Sequence, residues 1–231
     1  SDYRPGSGRP SSSRLGRPSS RGFDEADEGG AFEGNGVNIV PTKEMLYTLC
    51  GSGTVKSKDN PPERMLAKLT HLPMDNRGLT KIANLKMCTG VRVIYLYDNK
   101  IRRIENLEFA QHCTHLYLQN NELEDLGDLH GLKKLQKLYL DGNRIMVVSG
   151  LEQLDRLEEL HLARQRIPLG GPGLSFDPAS IQHIMGTLAI LNVAGCGIRD
   201  EELETLSMLK YVEEIDLSSN DIVRVEYVQL L

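Results

Sequence analysis

The amino-acid sequence predicts an α/β solenoid of about seven stacked turns, with a parallel concave sheet, an N-terminal helical cap and an N-terminal arm of the disordered type. Three observations lead there. An aliphatic, aromatic, aliphatic triplet returns every 22 residues; an asparagine follows each triplet at a fixed distance; and the first 42 residues hold almost nothing that a core could bury.

The triplets are Ile94-Tyr95-Leu96, Leu116-Tyr117-Leu118 and Leu138-Tyr139-Leu140, followed by Asn99 and Ile101, Asn121 and Leu123, and Asn143 and Ile145. A step back of 22 from Leu96 reaches Met74, with Leu79, Ile82 and Leu85 in place but Arg77 where the asparagine belongs, which makes a degenerate first turn. A step forward reaches Leu160-His161-Leu162, with Gln165 at the asparagine position and Ile167 after it. Steps of 31 and 24 then lead to Leu191-Asn192-Val193 and to Ile215-Asp216-Leu217 with Asn220. The pattern Leu-x-x-Leu-x-Leu-x-x-Asn-x-Leu marks a leucine-rich-repeat solenoid, in which each turn adds a short strand to a parallel sheet and returns along the convex side. One turn cannot bury its leucines alone, so stacked turns share an apolar column. The asparagine amide tightens the bend and satisfies backbone groups that would otherwise be buried without partners.

Three segments follow in chain order. Residues 1–42 form an arm, first rich in Arg, Ser, Pro and Gly and then acidic, that cannot offset the entropy of folding. Its arginines, Arg4, Arg9, Arg14, Arg17 and Arg21, suit a contact with an acidic partner such as tubulin on a microtubule surface. Nucleic acid ranks below protein as that partner. Residues 43–68 read as a helical cap: PTKEMLYTLCGSG is a short helix with Thr42 as its cap, and NPPERMLAKLTHL a second with Asn60 before Pro61. Residues 69–231 are repeats, with an insertion at 168–187. There Gly170, Gly171, Pro172 and Gly173 demand a loop, Asp177-Pro178 opens a helix, and Gly186 can close it. The sequence stops at VEYVQLL without the polar cap that solenoids need, so the native chain is expected to continue beyond Leu231.

The tyrosines acquire an address from this frame. Side chains alternate across a strand, so with Leu116 and Leu118 in the core, Tyr117 faces the concave surface. Adjacent strands lie about 4.8 Å apart, which turns Tyr95, Tyr117 and Tyr139 into an aromatic ladder continued by His161. Val93, His115, Lys137 and Glu159 flank it on one side; Tyr97, Gln119, Asp141 and Ala163 on the other. Tyrosine offers large contact area with few rotors and a polar tip, as a protein-binding surface requires. Cross-strand packing of phenols that merely regularises the sheet is the competing explanation.

Composition bounds the rest. The chain has 231 residues, 39% of them hydrophobic and 26% charged, with formal net charge −5. It has no apolar run near the roughly 20 residues needed to cross a bilayer and no apolar signal core at its start, so no membrane partner is expected. Cys50, Cys88, Cys113 and Cys196 are scattered; Cys113 takes a core leucine position and Cys196 an asparagine position, which favours small buried thiols in a reducing cytoplasm. GSGTVKSKDN lacks the glycine before lysine that a phosphate loop uses. DGNRIMVVSGLE imitates a calcium loop at its ends but fails at Ile145 and Met146. His112 and His115 lack further ligands for zinc, and neither His115 nor His161 neighbours a nucleophile. No catalytic residue, metal site or cofactor is expected.

The segments VIYLYDNKI, THLYLQNNEL, LKKLQKLYLDGNRI and LEELHLARQRIPLG, the last followed by FDPASIQHIMGTLAILNVAGCGI, resemble the leucine-rich-repeat regulatory subunits of protein phosphatase 1. The break after turn five, with Gln165-Arg166 replacing the usual bend and Phe176-Asp177-Pro178 opening the helix, is its most specific part. The resemblance covers roughly residues 42–225. It implies a non-catalytic protein whose concave face grips the phosphatase catalytic subunit, in the cytoplasm and cytoskeleton, at cilia or flagella and their axoneme, or at centrosomes and basal bodies. Carried onto this sequence, that face comprises Tyr95, Tyr97, Tyr117, Gln119, Lys137, Tyr139, Asp141, Glu159, His161, Asn192 and Asp216. Such relatives need not use a short Val-x-Phe docking segment, and RVIYL is committed to a strand. The alternative is a structural scaffold of the ciliary axoneme, holding axonemal or microtubule-associated proteins by the same face without a phosphatase.

Overall fold

Lys43–Leu49 form helix α1 because Thr42 Oγ1 accepts from Met45 N (3.2 Å) and Leu46 points into the core. A computed structural model describes residues 38–50, 61–224 and 226 of the chain; the five arginines assigned to the arm and the stretch 51–60 lie outside them. Helix α2, Pro62–Leu66, begins with proline at its first position, where the absent N–H costs nothing. Its N-cap is Pro61, with no side-chain cap bond; Asn60 lies outside the described residues. Tyr47 donates to Glu63 Oε1 (3.0 Å), joining the two helices.

The repeats then add strands β1 (His71–Pro73), β2 (Val93–Tyr95), β3 (His115–Tyr117), β4 (Lys137–Tyr139), a two-residue β5 (Val147–Val148), β6 (Glu159–His161), a two-residue β7 (Ser175–Phe176), β8 (Ile190–Asn192) and β9 (Glu214–Asp216). Seven of them pair in one parallel sheet in the order β1-β2-β3-β4-β6-β8-β9, one strand per turn. The register stacks Leu72, Ile94, Leu116, Leu138, Leu160, Leu191 and Ile215 in one column, buried except for the half-buried Ile215. Cys88, Cys113 and Cys196 are buried free thiols; burial pushes Cys88 up to about 11 and Cys113 to about 12.

The asparagines serve the turn before their own as well as their own. Asn143 Oδ1 accepts from Leu123 N (3.1 Å), while its Nδ2 donates to Leu118 O (2.9 Å) and Leu140 O (2.8 Å). Asn121 and Asn99 repeat the arrangement one and two turns earlier. Asn99 also takes the Arg77 N–H (3.0 Å), so the first turn is tightened by its neighbour despite its own missing asparagine. Gln165 reproduces the bonds with a longer arm, to Ile145 N, Leu140 O and Leu162 O. Cys196 cannot: its thiol reaches Leu162 O (3.1 Å) but leaves Ile167 N to bond Gln165 O (2.9 Å) within its own turn. The regular period breaks at this point. A second device recurs beside it, a residue of positive φ just after each strand: Asn76, Asp98, Asn120, Gly142, Arg164, Gly195 and Ser219.

In the insertion, β7 pairs parallel with β5 in a separate two-stranded sheet. Helix α3 (Pro178–Ile184) is capped by Asp177, which accepts from Ser180 N (3.0 Å). Gly186 does not close α3. The helix ends on Met185 in right-handed conformation, and Thr187 N and Leu188 N both turn back to Ile184 O, which carries Leu188 into the core. Turn six contains a further helix, α4 (Asp200–Leu206), whose Glu202 accepts from Phe176 N (3.1 Å). Among the described residues, no helix is long and apolar enough to cross a membrane.

Candidate protein-binding face

Strands β2, β3, β4, β6 and β8 each bury the middle side chain and leave the outer two half-buried, so the third residue of each stands on the open face. The register aligns Tyr95, Tyr117, Tyr139, His161, Asn192 and Asp216 in a single column. Strand spacing then sets the ring spacing. Tyr95 and Tyr117 stack with centroids 5.1 Å apart, Tyr117 and Tyr139 at 4.8 Å, and Tyr139 and His161 at 4.4 Å, with interplanar angles of 11°, 16° and 12°. His71 stacks on the far side of Tyr95 (6.4 Å), and Tyr97 meets Tyr95 edge-on (6.4 Å, 90°). With their faces turned to one another, the rings offer edges and hydroxyls outward.

Lys137 and Glu159 flank this column in register, after His71, Val93 and His115. Glu159 is the centre of a small network: Lys137 Nζ donates to its Oε1 (2.7 Å) and the Tyr139 hydroxyl to its Oε2 (2.8 Å). Burial alone would raise the Glu159 carboxyl, but these two donors hold it below its ordinary value. The Tyr139 phenol is pushed up by burial and by its bond to Glu159, so it remains a neutral donor. His161 Nε2 lies 3.9 Å from Glu159 Oε2, beyond hydrogen-bond reach, and has no partner.

Tyr97, Gln119 and Asp141 form the other flank, tied by Asp98 N to Gln119 O and Asn120 N to Asp141 O. Asp141 accepts from Ala163 N (2.9 Å), yet burial raises its carboxyl above the usual value. Tyr97 is raised chiefly by the charge of Asp75. Between this flank and the tyrosines an open hollow of about 550 Å³ is lined by Tyr95, Tyr97, Tyr117, Gln119, Asn120, Asp141 and Arg164. Every residue carried onto the face from sequence is half-buried on this one side of the sheet. Asn120 and Arg164 were missed; the signal was available, since both occupy the positive-φ position that recurs with the 22-residue period.

Residues 89–145 match the family model described as leucine rich repeat. The fold is a leucine-rich-repeat solenoid. Among solved structures, an internalin of Listeria monocytogenes superposes with TM-score 0.62 at 19% identity, over 84% of this chain and 56% of that one. A leucine-rich-repeat protein of Leptospira interrogans gives TM-score 0.57 at 20% identity, over 77% and 50%. The TLR13–ssRNA13 complex gives 0.57 at 21%, over 71% and 24%. This solenoid thus spans about half the length of the first two and a quarter of the third, and at such identities the likeness is one of fold.

Proposed function

We propose that the solenoid is a non-catalytic adaptor that binds protein partners on its concave face, and that it is a regulatory or targeting subunit of protein phosphatase 1 associated with cilia or microtubule organising centres. Its repeat segments resemble those of regulatory subunit 42 of that phosphatase. The observation that carries the reading is the stacked column from Tyr95 to His161, half-buried at its base and open along its edge. Rigid aromatic area of this kind is ordered before a partner arrives, so little rotamer entropy is lost on binding. The family model and structural neighbours support the receptor fold; the phosphatase comes from the sequence resemblance.

The test is calorimetry with purified phosphatase catalytic subunit. Tyr117→Ala and Tyr139→Ala should each weaken binding by about 2 kcal/mol, as truncated interface anchors do, with circular dichroism checking that both variants stay folded. Asp155→Asn, at the exposed Asp155–His183 pair, should change nothing. A catalytic subunit that fails to bind, while purified axonemal proteins bind in a Tyr117-dependent way, would replace the phosphatase reading with that of an axonemal scaffold. The arm's contact with tubulin is tested separately by co-sedimentation with microtubules, which deletion of residues 1–22 should abolish.

A further inference from the structure

We propose that the hollow between the tyrosine column and the Gln119 flank is a seat for one guanidinium group, presented by an arginine side chain of the bound protein. The inference rests on the reading that this face receives a protein. It adds which chemical group enters, and where.

Asp141 and Gln119 line the hollow together with Tyr95, Tyr97 and Tyr117. Gln119 Oε1 is shielded from solvent and has no hydrogen-bond partner. An orphaned buried acceptor is costly, and a donor arriving from a partner removes that cost. Two more carboxylates stand at the rim. Asp98 accepts from the side chain of Asn120 (2.8 Å), which itself lines the hollow, and Asp75 lies against Tyr97. Among the described residues of the lining, Asp141 is balanced by Arg164, so the excess of negative charge comes from Asp75 and Asp98, whose charges both raise the Tyr97 phenol; that excess attracts a cation and repels an anion.

Shape selects among cations. The rings of Tyr95 and Tyr117 are nearly parallel and stack on each other, so their faces are occupied and a narrow row of edges and hydroxyls borders the hollow. A planar guanidinium can lie along such a row and direct separate N–H groups to the Asp141 carboxylate and to Gln119 Oε1. An ammonium is a compact, strongly hydrated point charge without that fork. Burial raises the Asp141 carboxyl even though the Ala163 N–H and the charges of His161 and Arg164 pull it down, and a further cation would relieve the penalty that remains.

The experiment is a heteronuclear NMR titration of the full chain with three probes, N-acetyl-arginine amide, N-acetyl-lysine amide and N-acetyl-citrulline amide. Citrulline keeps the planar shape and loses the charge. The arginine probe should shift the rings of Tyr95 and Tyr117 and the side-chain amide of Gln119 in a saturable way, with citrulline and lysine each about tenfold weaker or more. Asp141→Asn, which retains an oxygen for Ala163 N, should weaken the arginine probe by about tenfold, and Asp155→Asn should not. Absence of shifts at the hollow overturns the proposal. So does an equal response to citrulline or lysine, or binding that Asp141→Asn leaves unchanged. No phosphatase takes part, so a silent hollow beside intact phosphatase binding sinks this assignment alone, and the converse outcome sinks the phosphatase reading alone.

Discussion

Asn143 is fully buried, and its amide is committed on both sides: three backbone groups from two turns depend on it. Replacing it with leucine keeps the volume, orphans Leu123 N, and leaves Leu118 O and Leu140 O with only their bonds from Asn121 and Gln165. With about 1–3 kcal/mol for the orphaned N–H and about 1 kcal/mol for each of the two lost bonds, Asn143→Leu should lower the unfolding free energy by about 3 kcal/mol, read from urea denaturation. Two acidic neighbours on the face respond to pH with opposite sign. The Glu159 carboxyl is held below its unfolded value, so its contribution is favourable above that value and is lost as pH falls through the folded one. Asp141 is raised, so it costs stability at neutral pH and the cost disappears as pH falls through its folded value. Glu159→Gln should therefore destabilise the protein at pH 7 and Asp141→Asn stabilise it, and both differences should shrink toward pH 3. The same sign for both variants at pH 7 would show that the environments of the two groups are misassigned.

At the scale of elements, the insertion offers a controlled comparison between two glycines in left-handed conformation. Gly170 has φ +75° with nothing near the place of a Cβ, whereas Gly173 has φ +84° and its Cβ would stand 2.0 Å from Gly197 O. Gly170→Ala should cost only the backbone strain, about 1 kcal/mol. Gly173→Ala must also displace the neighbouring turn, and its melting temperature should fall several degrees further; equal losses would mean that the loop and turn six are not in contact. The insertion was also the least legible element. Asp177-Pro178 announced its helix correctly because capping is local chemistry. The pairing of Val147–Val148 with Ser175–Phe176 left no trace, since two-residue strands have no period and the partners lie far apart in the chain. Gly186 misled for a related reason: a glycine after a helix permits a left-handed close, but the pull of Leu188 into the core decided the path. By contrast the tyrosine column was readable to the residue. A 22-residue period fixes the register, the register fixes the column, and strand alternation fixes the face.

For the whole molecule, nearest-neighbour stacking means that each turn is as stable as the two beside it allow. Turns three and four have their asparagine bonds fully buried, whereas Asn220, which ties turn six to turn seven, is only half-buried, and β9 is exposed at Glu214. Stability should therefore decline toward β9 in this 231-residue chain. The corresponding substitutions separate a graded solenoid from one cooperative block. Asn143→Ala removes bonds on which both halves of the stack lean, so it should speed hydrogen exchange at Leu116, Leu118 and Leu138 amides together, as global opening does. Asn220→Ala should speed exchange in turns six and seven and leave those three amides unchanged. If Asn220→Ala accelerates them to the same extent, the stack unfolds as one unit. In that case a partner gripping only the tyrosine face would stabilise the distant turns as strongly as the ones it touches.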